Sequence, residues 1–439
     1  MSFIVLIVLL FALMLMGVPL GFAFGGSTII CIFAFTNLNP VIIGMFNFSG
    51  INSFTILAIP FFILAGIIMS TGGIARRVVN FASSLIDFVT GAVGCIAMLA
   101  CMIFGACTGS GMATSSAIGA MMIPEMKRQG YDPAYAATLV CFGGIVGPVI
   151  PPSLAFVIYG SVTNVSVAQL FIAGILPGIF MAFLFFFFNI LMCKRMGTDL
   201  RGKDNAEFKT EMVPVSVMLR NRGKRVWTTF KDGIWALLTP VIILGGIYSG
   251  IFTPTEAACI AVMYGLFVSI FIYKEMGRKE LYNTILDAAV LNGVTSFLLG
   301  YSTVFSAYLT FERVPHMIST FLTTLSDNPI VILLMINLMI LLIGTVLDLV
   351  PAIIIMAPLL LPTVVELGVD PVHFGVIIAV NLAIGLTTPP YGGCLFVTAI
   401  IARIKMESML KYVWKFFIVA FFGLMVVTYV PWLSLVFIR

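Results

Sequence analysis

Charge is scarce in this chain. Lys, Arg, Asp and Glu together make up 9% of its 439 residues, where an ordinary soluble protein carries about 25%. A water-soluble fold cannot hide the apolar surface left over. Histidine is nearly missing: His316 and His373 are the two in the chain, far apart and without metal-ligand spacing, and both read as structural or surface residues. Eight cysteines are scattered through mostly apolar segments with no C-x-x-C pair, so neither a zinc site nor a disulfide framework is indicated. "GGST", Gly25 to Thr28, has no lysine at the spacing of a phosphate loop. The net charge of +5 is no argument for nucleic acid, because the basic residues lie in loops beside apolar segments.

What is present is apolar: 61% of residues are hydrophobic. The composition predicts an all-α, polytopic membrane protein. A spanning helix takes roughly 20 apolar residues, which leaves room for about ten to twelve such segments. The opening "MSFIVLIVLLFALMLMGVP" has neither the basic n-region nor the small-residue cleavage site of a secretory signal. It reads as the first membrane helix.

The chain also repeats itself. At an offset of 238 positions, Pro124 meets Pro362, Gly130 meets Gly368, Asp132 meets Asp370 and Pro133 meets Pro371. Gly147 then meets Gly385, and Pro151 and Pro152 meet Pro389 and Pro390. Four of the seven matches are proline, which supplies 21 of 439 residues, so coincidence is a poor explanation. Residues 1–192 and 233–439 are read as two copies of one unit, joined by a basic linker, 193–232. The first copy is expected to hold helices at 2–17, 19–37 and 51–70 and an amphipathic stretch at 72–88. A hairpin at 89–123, a broken helix at 133–163 and a helix at 166–192 follow. The second is expected to hold helices at 233–250, 255–273 and 283–310 and an amphipathic stretch at 312–327. A hairpin at 329–365, a broken helix at 371–402 and a last helix at 416–437 follow.

Lys and Arg near membrane ends mark the cytoplasmic side. Threading the chain this way puts every basic residue except Arg313 and Arg439 on the side of loop 193–232. The first hairpin then enters from the cytoplasm and the second from the opposite face, so the copies are inverted. Inverted repeats with discontinuous helices are a mark of secondary transporters, with the site between the copies near the midplane.

The breaks are "GPVIPPS", Gly147 to Ser153, and "GLTTPPYGG", Gly385 to Gly393. Three prolines in five residues, as in the first of these, cannot sit in an unbroken helix, because each lacks an N–H and its ring clashes with the preceding turn. A broken helix frees N–H groups at one end and C=O groups at the other, and lipid satisfies neither. Carbonyls and hydroxyls suit a hard cation such as Na⁺, and helix N-termini suit an anion. The first hairpin turns at "FGACTGSGMATSSAIGA", Phe104 to Ala120, where Thr108, Gly109, Ser110, Ser115 and Ser116 offer oxygens or serve close helix packing. The second turns at "IGTVLDLVPA", with Gly344, Thr345 and Asp348. Asp348 is open to three roles: cation ligand, proton carrier or cap. Glu256, three residues after Thr253, has capping-box spacing. Arg313 either attracts an anion or partner or anchors its amphipathic stretch at the interface.

These hairpin and break stretches, with "GIFTPTEAA", resemble the large membrane subunit of TRAP transporters, the tripartite ATP-independent periplasmic transporters. The resemblance covers essentially the whole chain. It implies an elevator-type transporter of the bacterial inner membrane that takes up an organic acid with Na⁺. The acid would be a C4-dicarboxylate, sialic acid or another sugar or keto acid. It implies two partners, a small four-helix membrane subunit and a periplasmic binding protein that delivers the substrate. No four-helix segment precedes the first helix, so the small subunit is expected as a separate polypeptide. By resemblance, the hairpins and broken helices move against a scaffold, held by arms at 72–88 and 312–327. One Na⁺ site is expected from Thr108, Ser110, Ser115, Gly143 and Gly147. The other is expected from Gly344, Thr345, Asp348, Gly385 and Thr388. Substrate is expected near Ser116, Pro151, Pro152, Ser153, Thr387, Pro389 and Pro390. The alternative is a divalent-anion/Na⁺ symporter that needs no binding protein. An enzyme would need a catalytic constellation that a single intramembrane carboxylate without a nearby histidine does not supply, and a channel would need its filter assembled around a pore axis.

Overall fold

The computed structural model describes residues 2–36, 38–86, 91–195, 215–390 and 392–438, with backbone only for residues 2, 215–222 and 323. Among these residues every regular element is helical. The first half holds α1 (Ser2–Leu15), α2 (Leu20–Phe35), α3 (Val41–Ser49), α4 (Ala58–Thr71) and α5 (Ile74–Ile86). It continues with α6 (Ala92–Thr108), α7 (Gly111–Arg128), α8 (Pro133–Gly143), α9 (Leu154–Thr163) and α10 (Val167–Arg195). The second holds α11 (Val215–Tyr248), α12 (Pro254–Phe267), α13 (Arg278–Phe311), α14 (Val314–Leu325) and α15 (Pro329–Gly344). It ends with α16 (Leu349–Glu366), α17 (Pro371–Gly385), α18 (Gly393–Ala402), α19 (Leu410–Tyr429) and α20 (Trp432–Leu435).

Six helices reach the length and apolarity of a membrane span, fewer than the segment count read from composition. The difference is punctuation. The half-helices and the hairpin limbs α6 and α15 stop at Gly, Ser and Pro before a full crossing and have 10–17 residues, whereas the limb α16 is one of the six. α4 and α5 form one apolar pair bent by 64° at Gly72–Gly73, where Gly73 takes a left-handed φ of 82° that glycine alone adopts without cost. α3 was not expected. α11 begins at Val215, inside the stretch read as linker, and residues 196–214 of that linker lie outside the described residues. The last span starts at Leu410 and ends where Pro431 opens the short α20.

Local chemistry explains the helix starts. Asp132 and Asp370 cap α8 and α17, each accepting an N–H two residues on (Ala134 and Val372) at 2.8 Å, with proline as the first helical residue. That is the position where a missing N–H costs nothing. Thr253 and Glu256 form the capping box of α12, with the Thr253 N–H donating to Glu256 Oε2 at 2.8 Å.

The helices sort into two groups. α2 packs on α13, α4 on α12 and α5 on α11, so one group draws on both halves of the chain. The other gathers α6–α10 with α15–α20. Its centre is aromatic: Phe142 on α8, Phe185 on α10 and Phe416 on α19 lie with ring centroids 5.3–6.3 Å apart. In lipid there is no hydrophobic drive between helices, so this association rests on dispersion and close fit. Large apolar residues such as Tyr282, Val290 and Val294 of α13 stay exposed, as lipid contact allows. α5 is pinned by Arg77, whose Nη1 donates to Glu275 Oε1 at 2.6 Å and whose guanidinium lies 3.5 Å from the Tyr273 ring centre. Arg76 also donates to Glu275.

Candidate functional site

Each broken helix serves both hairpins. Its first half packs on its own hairpin: α8 on α6 and α7, α17 on α15 and α16. Its second half crosses over: α9 packs on α16 and α18 on α7. Both breaks place their proline pair between the halves, and the Pro151–Pro152 and Pro389–Pro390 peptides are both cis.

At the first tip, α6 ends at Gly109, which adopts φ 64° and stands against the Pro152 carbonyl oxygen. Ser110 caps α7, its hydroxyl accepting from the Ala113 N–H. Its carbonyl accepts from Thr114 Oγ1 at 2.8 Å, and the Thr108 and Thr114 hydroxyls lie 3.2 Å apart. Gly147 fits beneath this tip because it has no side chain. A Cβ there would fall 2.7 Å from the Ser110 oxygen and 3.0 Å from Thr114 Oγ1. Gly144 and Gly111 approach in the same way: a Cβ on either would lie 2.9 Å from the other's carbonyl oxygen. The Ser115 hydroxyl is fully buried beside Gly144 and makes no hydrogen bond to nitrogen or oxygen; its polar neighbour is the Cys394 thiol. The Ser153 hydroxyl caps α9 and donates back to the Pro148 carbonyl. Carbonyl oxygens of Ser110, Gly111, Gly144 and Pro152 and the hydroxyls of Thr108, Thr114 and Ser115 thus lie along one buried contact between tip and break, where the Ser110 and Gly144 carbonyls also accept from the Thr114 and Gly147 N–H groups and the Thr108 hydroxyl donates to the Phe104 carbonyl. Such a set of hard oxygen donors suits an alkali or alkaline-earth cation.

Thr108, Ser110, Ser115 and Gly147 therefore meet, as read from the sequence. Gly143 instead faces α6, where a Cβ would lie 2.7 Å from Cys101 Sγ; its neighbour Gly144 stands against Ser115. Thr114 was missed. Its signal is its place four residues after the cap Ser110, which lets its hydroxyl return to that residue's carbonyl. Ser116 is exposed on α7, away from this cluster.

At the second tip, Gly344 of α15 touches Gly385 of α17 directly. Asp348 caps α16, its Oδ1 accepting from the Leu349 N–H at 2.8 Å. The Thr345 hydroxyl donates to the Leu342 carbonyl at 2.7 Å, and those of Thr387 and Thr388 to the Ile384 carbonyl at 2.7 and 2.9 Å. Thr387 and Thr388 are buried, as are Pro151 and Pro152, whereas Pro389 is half-buried and Pro390 exposed. The hydroxyls of Thr345, Thr387 and Thr388 are thus committed to local carbonyls, as are those of Thr108, Thr114 and Ser153 in the first copy. Among the described residues no group of three His, Cys, Asp or Glu is placed to hold a metal.

A family model described as "Tripartite ATP-independent periplasmic transporter, DctM component" matches residues 7–433. The chain belongs to this DctM family. It is 36% identical over 411 residues to the C4-dicarboxylate TRAP transporter large permease protein DctM of Pseudomonas aeruginosa, covering 93% of this chain and 92% of that one. It is 39% identical over 428 residues to the isethionate TRAP transporter permease protein DctMQ of Oleidesulfovibrio alaskensis, covering 97% of this chain but 65% of that longer protein. The YdaH transporter of Alcanivorax borkumensis has a similar fold, with a TM-score of 0.59 at 14% identity over 87% of this chain and 85% of that one. The DctM chain is thus a multi-pass membrane protein of a transporter permease family.

Proposed function

We propose that this DctM chain is the transport subunit of a Na⁺-coupled TRAP system of the bacterial inner membrane. It takes up an organic acid that a periplasmic binding protein delivers, together with a small membrane subunit. The observation that carries this reading is the first tip, where four backbone carbonyls and three hydroxyls line one buried contact between hairpin and break. The Ser110 and Gly144 carbonyls and the Thr108 and Thr114 hydroxyls already share hydrogen bonds there, and a hard cation would take the carbonyls' second lone pairs and the unpartnered Ser115 hydroxyl. Gly344, Thr345, Asp348, Gly385 and Thr388 form the second cation site. The anion is met by the exposed Ser116 and Pro390 and by the N-terminal dipoles of α9 and α18.

The crossed packing of α9 on α16 and α18 on α7 supports an inverted-repeat core of hairpins and broken helices. That core moves as an elevator past the group built from α1–α5 and α11–α13, with α5 and α14 as arms. A relative named DctMQ, of which this chain spans 65%, supports the small-subunit partnership.

The test is uptake by liposomes holding this chain and the small subunit. Uptake that needs both Na⁺ and the binding protein supports the proposal. Uptake unchanged when K⁺ replaces Na⁺ defeats it. Full uptake without any binding protein favours the divalent-anion symporter instead.

A further inference from the structure

The first turn of α18 touches both tips. The Cys394 N–H donates to the Leu386 carbonyl at 3.0 Å, which staples the turn over the second break one residue after Gly385. Gly392, at φ 48°, stands so close to that break that a Cβ would lie 3.2 Å from the Thr388 carbonyl oxygen. From the same turn the Cys394 side chain points into the first cluster. A Cβ on Gly111 or on Gly144 would each fall 3.4 Å from Cys394 Sγ, which is ordinary van der Waals contact. The Ser115 hydroxyl, buried without an oxygen or nitrogen partner, lies beside that thiol. Cys394 itself is fully buried. One turn of helix therefore joins Leu386 and Thr388 of one break to Gly111, Gly144 and Ser115 of the other.

We propose that the Gly392–Cys394 turn couples the two cation sites, with Cys394 as the positioning residue. This rests on the two-site reading above. A cation held by carbonyls of the second break fixes Gly385–Thr388, and through the Leu386–Cys394 hydrogen bond it fixes the thiol. The thiol then sets the spacing of Gly111 and Gly144, whose carbonyls and neighbouring hydroxyls hold the first cation. Packed interiors do not deform continuously, so order at one site is carried to the other instead of being absorbed between them. By linkage the effect is reciprocal: either cation raises the affinity for the other by the same factor. The first-break position matching Cys394 is Phe156, which packs against Gly174 of α10.

The experiment measures Na⁺ binding to the purified complex with its small subunit, and Na⁺-dependent uptake by the same complex with its binding protein. Wild type is expected to bind with a Hill coefficient approaching about 2, the number of sites. Cys394→Ala is expected to still bind Na⁺ but with a coefficient near about 1, and its half-saturating Na⁺ for uptake should rise at least about fivefold. Cys394→Ser keeps the size and the contact and should retain the wild-type steepness. A merely structural role would reduce the yield of folded transporter without changing the coefficient. If Cys394→Ala does not fold, Cys394→Val reads the same loss, because its branched side chain cannot lie flat between the two glycines. Wild type that binds no Na⁺ defeats the two-site reading itself. Wild type that binds Na⁺ without cooperativity, or a folded Ala or Val variant as steep as wild type, overturns the coupling and leaves the sites standing.

Discussion

Gly344 at the end of α15 and Gly385 at the end of α17 meet backbone to backbone, but not symmetrically. A Cβ on Gly385 would lie 2.6 Å from both the carbonyl carbon and oxygen of Gly344, whereas a Cβ on Gly344 would lie 3.4 Å from the Gly385 Cα and 3.1 Å from a methyl of Leu382. Gly385→Ala is therefore expected to push the second tip off the break, with an overpacking cost of about 1–3 kcal/mol. Uptake should fall about 5- to 150-fold, since a factor of ten is about 1.4 kcal/mol. Gly344→Ala should be far milder, because a leucine methyl can move. Gly245→Ala, on α11 where nothing lies within 4 Å, is the control and should be neutral. Uptake and thermal unfolding of the three variants check this, and equal losses at 344 and 385 would contradict it.

Thr114 is expected to matter through its hydroxyl. Thr114→Val keeps the shape and removes the bonds to the Ser110 carbonyl and Thr108. The Ser110 carbonyl keeps the Thr114 N–H and Thr108 keeps the Phe104 carbonyl, so the loss is that of an ordinary hydrogen bond, about 0.5–1.5 kcal/mol, and half-saturating Na⁺ should rise roughly 2- to 12-fold. Thr114→Ser should restore most of it. A Na⁺ titration of uptake decides, and an unchanged midpoint in the Val variant would remove Thr114 from the site.

Replacing Pro151 and Pro152 together by Ala should abolish transport while leaving an inserted chain. Alanine lets the helix continue, and a continuous helix pairs the carbonyls and N–H groups that the break leaves free. The matched change at Pro389 and Pro390 should act alike. Near-normal Na⁺-coupled uptake in both double variants would show the prolines to be packing features only.

Asp132 joins the halves of the chain. Its Oδ2 accepts from Lys411 at 2.7 Å and Tyr412 at 2.9 Å, while Oδ1 caps α8. Burial works to raise its pKa, but the hydrogen bonds from Lys411, the Ala134 N–H and Tyr412 outweigh it and hold the carboxyl below its ordinary value. A depressed folded-state pKa gives stability that is present above the unfolded value, about 3.9, and lost as pH falls through the folded one. Thermal unfolding of Asp132→Asn should thus be lower than wild type near neutrality, with the gap closing on acidification below about pH 4. A gap that stays constant with pH would count against the pairing.

Orientation follows from the basic residues, all but Arg313 and Arg439 being assigned to one face. A cysteine placed at Lys203 in a chain lacking accessible thiols should resist an impermeant maleimide applied from outside intact cells and react after permeabilisation. Labelling from outside would reverse the topology.

The sequence by itself determined the class and the places of interruption. Low charge and long apolar runs forced a membrane protein. The proline pairs at 151–152 and 389–390, the N1 prolines after Asp132 and Asp370, and the Thr253–Glu256 box act within a few residues, so their consequences are local and legible. Serine and threonine at the first tip were legible as oxygen donors for the same reason. What touches what across the chain was decided by tertiary structure alone. That Gly144 rather than Gly143 stands against Ser115, that Thr114 completes the first cluster, and that Cys394 of the second half lies inside it depend on helix rotation and crossed packing. Those follow from the fit of backbones at glycine contacts, and a glycine leaves no side chain in the sequence to say which neighbour it will meet.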